Sequence, residues 1–105
     1  MSKLAGIAVG IVIAGGVALG ADGKAGGAAF DKSCKGCHGA TGAGNPAIAK
    51  MMNVTIPDLG GADVQGKSDA DLVAVIKAGK GKMKPVTTLS TPPEDVVAFV
   101  RTLKH

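Results

Sequence analysis

The five residues Cys34-Lys35-Gly36-Cys37-His38 decide how the rest of the chain is interpreted. Two cysteines that are separated by two residues and followed at once by a histidine form the pattern by which haem is attached covalently to exported proteins. This spacing lets one short stretch of backbone present both thiols to the two vinyl groups of the porphyrin. His38 then lies where a ring nitrogen can bind the iron as an axial ligand. A disulfide between Cys34 and Cys37 would close almost no loop and would stabilise the chain very little.

Two other chemistries use cysteine pairs, and the sequence favours neither. A thioredoxin-like dithiol belongs in a βαβ setting, for which the chain shows no strand pattern. A structural zinc ion needs four ligands, whereas the chain has no second cysteine pair and only one further histidine, His105. We therefore predict one covalently bound haem c.

The composition agrees with a bound porphyrin. The chain has 105 residues, which is enough for one small domain, and its only aromatic residues are Phe30 and Phe99. So short a chain has a marginal core, and aromatic rings normally contribute much of the core energy. A hydrophobic fraction of 46% argues against a disordered chain. A porphyrin is a large apolar ring that would make up the shortage, and the lack of aromatics excludes stacking on single-stranded nucleic acid.

The N-terminal segment predicts export. Residues 4–21 carry no charge, follow a lysine and end in small residues. This pattern predicts a signal peptide over residues 1–21, with cleavage near Gly20 or Ala21, and a mature domain over residues 22–105. A retained membrane anchor is the other interpretation, although the apolar stretch has the minimum length for a span and is rich in glycine.

The mature part predicts an all-α fold with three main helices, a short helix and long loops at 38–46, 53–67 and 79–91. Ser68 and Asp71 resemble a capping box, and Thr91 with Glu94 forms a second such pair. Loops this long in a small domain are expected to wrap the haem. The predicted helices run from Asp22 or Lys24 to Ser33, over Ala47–Met52, from Ser68 to Gly79, and from Thr91 towards Lys104, the last with Val96, Phe99, Val100 and Leu103 on one apolar stripe.

A sixth ligand is needed for the iron, and Met83 is the leading candidate. It lies in a loop with glycines before it and Pro85 after it, without apolar neighbours that would bury an ordinary methionine. Met51 and Met52 are expected to line the pocket on the short helix, because methionine usually fills gaps. His105 is the last residue and is expected to fray.

The ordered set of motifs resembles the small class I bacterial cytochromes c, and the resemblance covers nearly all of residues 22–105. Lys84 follows Met83 where the family usually has a proline, and the Trp and Tyr often found near the propionates are missing. The matching positions are Gly26, Phe30, the Cys34–His38 motif with Gly39, Pro46, the segment Ile56-Pro57-Asp58-Leu59, Ser68–Gly79, the Met83 loop and Phe99.

The resemblance implies further site residues. The Pro46 carbonyl would accept the ring N–H of the axial histidine, and Ile56 and Leu59 would line the haem crevice. Gly26 would pack closely under Phe99 where the first and last helices cross.

The expected function is a periplasmic monohaem c-type cytochrome that shuttles single electrons. The pair His38 and Met83 would favour reduced iron and leave no open coordination position, which argues for outer-sphere electron transfer and against an enzyme. Two alternatives stay open: a membrane-tethered haem subunit of a larger electron-transfer complex, and a haem enzyme or gas sensor with a labile sixth ligand.

The lysine pattern indicates the kind of partner. The formal net charge is +4, and lysines surround both ligand segments. They would steer a redox protein with an acidic docking surface, unless they serve only for solubility. Export argues against a nucleic-acid partner, and membrane contact is expected only if the N-terminal segment is retained. The lysines concerned are Lys32 and Lys35 beside the motif, and Lys80, Lys82 and Lys84 beside Met83.

Overall fold

The computed structural model describes residues 20–105, so the predicted signal peptide lies almost entirely outside the described residues. Within residues 20–105 the chain forms six helices and no strand, which confirms the all-α prediction. No helix among these residues has the length and apolar character that a membrane crossing requires. The helices are α1 (Gly23–Ser33), α2 (Lys35–His38), α3 (Pro46–Met52), α4 (Ala62–Gln65), α5 (Asp69–Ala78) and α6 (Pro93–Arg101).

The first and last long helices, α1 and α6, cross in close contact. Gly26 is buried at the crossing, where a Cβ atom would overlap the backbone carbonyl of Asp95. The expectation that Gly26 lies under Phe99 is wrong in this detail. The Phe99 ring covers Gly27 instead, 3.0 Å from where its Cβ would lie, because Gly26 already faces the α6 backbone. Phe30 and Phe99 pack ring against ring, with their centroids 5.1 Å apart.

The buried core is built around this crossing. Phe99 is half-buried and packs against the core, and Leu103 is half-buried, so the predicted stripe is confirmed in full for Val96 and Val100. The pattern missed Val97, which is 1% exposed. Neither α2 nor α3 contributes a buried residue. The core residues are Ala29, Phe30, Val64, Ile76, Val96, Val97 and Val100.

Helix α6 begins later than the sequence predicts. Pro92 is its N-cap with an extended backbone, at φ −58° and ψ 147°, and Pro93 is the first helical residue. A residue before proline is pushed out of the helical region, which prevents a start at Thr91. The Thr91 hydroxyl donates instead to the Asp95 carboxylate. Asp95 is buried, and its other oxygen accepts the Asp22 backbone N–H at 2.8 Å, so one carboxylate ties the start of α1 to α6.

Helix α5 largely follows the prediction. The Ser68 hydroxyl accepts the Asp71 backbone N–H at 3.0 Å, and Gly79 ends the helix with a φ of +79°. Of its apolar residues only Ile76 is fully buried. The predicted loop 53–67 contains α4, a single helical turn that the sequence did not reveal.

Arg101 joins the end of α6 to the segment between α4 and α5. Its guanidinium contacts the Asp69 carboxylate at 2.7 Å and donates to the backbone carbonyls of Gln65 and Lys67. A half-buried guanidinium with this many partners fixes the register of α6 against the preceding helices.

Candidate functional site

The cysteine motif forms one helical turn directly after α1. Cys34 is the N-cap of α2, and its carbonyl accepts the backbone N–H groups of Cys37 at 3.3 Å and His38 at 3.0 Å. Residues three apart on a helix lie on the same side, so the turn presents both thiols together. Cys34 is half-buried against the core, Cys37 is exposed, and both are free thiols.

The local environment sets the protonation of the motif. Burial raises the pKa of the Cys34 thiol, with a smaller contribution from the neighbouring Cys37 thiolate. Burial lowers the pKa of His38 from its ordinary value of 6.5. The His38 ring is therefore neutral at pH 7, which is the form that binds a metal.

The buried Nδ1 atom of His38 has no hydrogen-bond partner. Buried polar atoms in proteins are almost always paired, so an unpaired imidazole nitrogen beside two free thiols marks a group that fits a ligand. The hydrogen bond from His38 to the Pro46 carbonyl, which the resemblance implied, is not formed. Pro46 is the first residue of α3, and a carbonyl in that position faces along its own helix towards the N–H four residues on.

Asn45 attaches α3 to the cysteine motif, a role that the sequence analysis missed. Its backbone N–H donates to the Cys37 carbonyl at 2.8 Å, and its side-chain Nδ2 donates to the Gly36 carbonyl at 3.2 Å. Its Oδ1 accepts the Ala47 N–H at 3.0 Å and caps the helix. An asparagine directly before a proline is a known helix-start signal, so the capping role could have been read from Asn45-Pro46.

The predicted crevice residues Ile56 and Leu59 lie against the loop that follows the motif. The Leu59 backbone N–H donates to the Gly42 carbonyl at 2.8 Å. Gly42 has a φ of +81°, and a Cβ there would come within 3.0 Å of the Leu59 side chain. Ile56 packs in the same way against Gly44, which donates its N–H to the His38 carbonyl at 2.7 Å.

Gln65 holds this segment to the core. Its Nε2 donates to the carbonyls of Leu59 at 2.8 Å and Val100 at 3.0 Å. The structure thus brings His38, Ile56 and Leu59 into one neighbourhood through backbone hydrogen bonds and one amide side chain.

The methionine loop is a tight turn rather than a flexible segment. Lys80 and Met83 exchange both backbone hydrogen bonds, at 2.9 and 3.0 Å, around Gly81, whose φ is +59°. The Val86 N–H donates to the Ile76 carbonyl at 2.9 Å and anchors the C-terminal side of the loop on α5. Met83 is half-buried in this turn.

The methionine loop also reaches α3. The Lys82 ammonium donates to the backbone carbonyl of Met52 at 2.8 Å. Helix α3 is therefore tied to the cysteine motif at its start and to the Met83 loop at its end. Met51 is 74% exposed and does not pack against the protein, whereas Met52 is half-buried.

The C-terminal residue is held in place, so the expectation that His105 frays is wrong. Its Nε2 lies 2.7 Å from an Asp58 carboxylate oxygen, and its backbone N–H donates to the Gly60 carbonyl at 3.1 Å. The Gly60 N–H and, to a lesser degree, His105 hold the pKa of Asp58 below its usual value. His105 is thereby engaged with the crevice segment at Asp58 and Gly60.

The predicted partner lysines are all exposed. Lys82 makes the carbonyl contact described above, while within residues 20–105 the side chains of Lys35, Lys80 and Lys84 make no hydrogen bond or ion pair. Their ammonium groups are available to a docking protein.

Comparison with known proteins identifies the domain. Residues 21–101 match the family model described as cytochrome C oxidase, cbb3-type, subunit III, a c-type cytochrome domain. The chain belongs to this family. The cytochrome is also similar to the solved structure of the KustC0563 c-type cytochrome, with 25% sequence identity and a TM-score of 0.56 over 75% of this chain and 93% of that chain. No curated protein matches it.

The family membership confirms two predictions from the sequence. The domain has a c-type cytochrome fold, and it carries covalently bound haem c. Both cysteines of the motif, Cys34 and Cys37, are free thiols in the structure. Its activity is haem-based electron transfer.

Proposed function

We propose that this cytochrome carries single electrons between proteins in the periplasm, with His38 and Met83 as the axial ligands of one haem. The observation that carries the proposal is the double attachment of α3. Asn45 fastens its start to the cysteine motif, and Lys82, the residue before Met83, fastens its end to the methionine loop. One helix thus connects the two segments from which the axial ligands are proposed to come.

The geometry of the methionine loop supports Met83 over Met51 and His105. Its backbone is fixed by the paired hydrogen bonds to Lys80, which gives a side chain in that position a defined direction. Met51 is exposed, and His105 is engaged with Asp58. A fixed, half-buried thioether is what an iron ligand requires.

The axial residues would set the redox chemistry. When bound, haem c supplies an iron atom that accepts and releases one electron. A neutral His38 imidazole and a soft Met83 thioether together favour the reduced state. With both positions filled by the protein, substrate has no coordination site, which supports an electron carrier rather than an enzyme.

Two observations support export. The family match begins at residue 21, next to the predicted cleavage near Gly20 or Ala21. Covalent haem attachment also belongs to exported proteins. A membrane-tethered subunit is the second candidate, which is favoured by the uncharged segment 4–21 and by the family's description as an oxidase subunit. N-terminal sequencing of the native protein separates the two, because a carrier released from the membrane would start near residue 21 or 22.

The ligands are tested by optical spectroscopy of the mature holoprotein. A pyridine-haemochrome assay should give one haem per chain. The oxidised protein should show the far-red charge-transfer band of a methionine–iron bond, and Met83→Ala should abolish this band. Met51→Ala and Met52→Ala are matched controls that should retain it. A high-spin spectrum of the unchanged protein would contradict the proposal and favour an enzyme or a gas sensor.

The exposed lysines near the proposed ligands are proposed to select an acidic redox partner. They are Lys35, Lys80, Lys82 and Lys84. The double variant Lys80→Glu/Lys84→Glu should slow electron exchange with an acidic redox protein, most strongly at low ionic strength. Lys24→Glu/Lys104→Glu makes the same change in net charge at exposed positions on α1 and after α6, outside the methionine loop. Equal rates for the two double variants would show that the lysines beside Met83 have no special role.

A further inference from the structure

We propose that Lys82 is a positioning residue for Met83, because its ammonium group fastens the methionine loop to the C-terminal end of α3. The proposal rests on the axial role of Met83 put forward above. The sequence predicts Lys80, Lys82 and Lys84 together as docking residues. The proposed role distinguishes Lys82 from the other two.

The end of α3 offers a specific site for an ammonium group. The last carbonyls of a helix lack partners within the helix and carry the negative end of its dipole. Asn53, in the left-handed conformation at φ 55°, donates its N–H to the Ala49 and Lys50 carbonyls, and the Val54 N–H also reaches Ala49. These bonds do not use the carbonyls of Met51 and Met52 at the end of the helix, and the Lys82 ammonium group donates to that of Met52 at 2.8 Å.

The contact supplies the attachment of the methionine loop to α3. The other attachments are both to α5: the Gly79 N–H donates to the Val75 carbonyl at 2.8 Å before Met83, and the Val86 N–H donates to the Ile76 carbonyl at 2.9 Å after it. A turn held by α5 alone can pivot about that helix as a unit. Lys82 fixes the turn to α3, and it is the residue directly before Met83. Loss of its contact should therefore displace the Met83 side chain first.

The neighbouring lysines make the role specific. Lys80 and Lys84 lie in the same loop and are exposed, yet within residues 20–105 their side chains make no hydrogen bond. The three carry the same charge, so a general electrostatic effect would be shared among them, whereas a positioning effect would belong to Lys82 alone.

Competition with imidazole measures the position of Met83. Free imidazole binds oxidised iron only when the methionine has moved away, so its apparent dissociation constant reports how firmly the loop is held. Lys82→Leu removes the ammonium group and introduces no sulfur that could bind the iron. We expect imidazole to bind this variant about fivefold more tightly, which corresponds to the loss of one ordinary hydrogen bond. Lys80→Leu should leave the dissociation constant unchanged, and Lys82→Arg should largely retain the original value.

A denaturant titration distinguishes positioning from general stability. In Lys82→Leu the methionine–iron band should disappear at a lower denaturant concentration than the helical circular dichroism, by a wider margin than in the unchanged protein. If both signals shift together, or if Lys80→Leu and Lys82→Leu bind imidazole equally, Lys82 does not position Met83. If Met83→Ala leaves the band of the unchanged protein intact, the axial assignment itself is wrong, and the role of Lys82 falls with it.

Discussion

The two halves of the cytochrome are held together in different ways. Where α1 and α6 cross, buried apolar side chains and a backbone-to-backbone approach at Gly26 make the contact. Around the cysteine motif, α2 and α3 bury no residue at all. That half is ordered by backbone hydrogen bonds and by polar side chains, among them Asn45, Gln65 and Lys82.

The difference indicates that one half stabilises the fold and that the other half can surround a cofactor. Apolar packing where α1 and α6 cross tolerates few substitutions, and it holds the two helices together without a ligand. A half held by hydrogen bonds along its backbone leaves its apolar side chains half-exposed, as Ile56, Met52 and Met83 are. Those side chains are then available to surround an apolar cofactor, which is what the family carries. Substitutions in the two halves should therefore have effects of different size and kind.

The largest effect is expected from Gly26→Ala. The new methyl group would overlap the backbone carbonyl of Asp95, so α1 and α6 would have to separate. Overpacking against a backbone has no flexible side chain to yield, and we expect a loss of about 3 kcal/mol in the free energy of unfolding. Guanidinium denaturation of the holoprotein, followed by circular dichroism, measures it.

Gly23→Ala provides the matched control for this prediction. Gly23 lies one turn earlier on the same helix, where a Cβ would be 3.6 Å from the nearest atom of Ala98, an ordinary contact. We expect this variant to be as stable as the unchanged protein or slightly more stable, since alanine favours a helix. Similar losses at both glycines would mean that the helices do not cross at Gly26.

A smaller loss is expected from Asn45→Ala in the other half. The substitution removes the cap of α3 and the hydrogen bond to the Gly36 carbonyl, and it should cost about 1–2 kcal/mol. Asn45→Asp keeps the capping oxygen and loses only the amide donor, so it should recover most of the loss. If the two variants were equally unstable, the cap would contribute nothing, and the bond to the motif would be the whole effect.

The sequence predicted the packed half better than the hydrogen-bonded half. Periodicity predicted the stripe on α6, where Val96 and Val100 are buried, and capping and stop signals predicted α5 between Ser68 and Gly79. The sequence-based prediction of the start of α6 at Thr91 was wrong. Thr91 resembles an N-cap residue, but the two prolines that follow it prevent a helical backbone there.

The candidate site was predicted in its chemistry but not in its connections. The motif of Cys34, Cys37 and His38 can be recognised from the sequence because it lies within five consecutive residues. By contrast, the contact from Lys82 to Met52 and the one from His105 to Asp58 join positions that are distant in the chain. Nothing in the local sequence marks a lysine that will reach a helix end or a terminal histidine that will fold back, since both depend on the finished fold.

The smallest effect, and one that sharpens the contrast between the halves, concerns acid stability. The Thr91 hydroxyl and then the Asp22 N–H hold the pKa of Asp95 below its ordinary value of 3.8, although burial acts in the opposite direction. A carboxyl whose pKa is lower in the folded than in the unfolded state stabilises the fold above the unfolded value and loses this contribution as the pH falls below it. Asp95→Asn keeps the shape and one acceptor. Its unfolding free energy should therefore lie below that of the unchanged protein at pH 7, and the gap should narrow as the pH approaches 3.

Asp58→Asn makes the same change in the half around the motif, where the Gly60 N–H and His105 lower the pKa of an exposed carboxyl. Solvent screens the Asp58–His105 pair. At pH 7, Asp58→Asn should therefore lower the unfolding free energy by less than Asp95→Asn does. Denaturant titrations of the three proteins at several pH values measure both gaps. A gap for Asp95→Asn that widens on acidification would show that Asp95 is protonated in the folded protein. A larger gap for Asp58→Asn would place the acid-sensitive contact at the C-terminus rather than at the helix crossing.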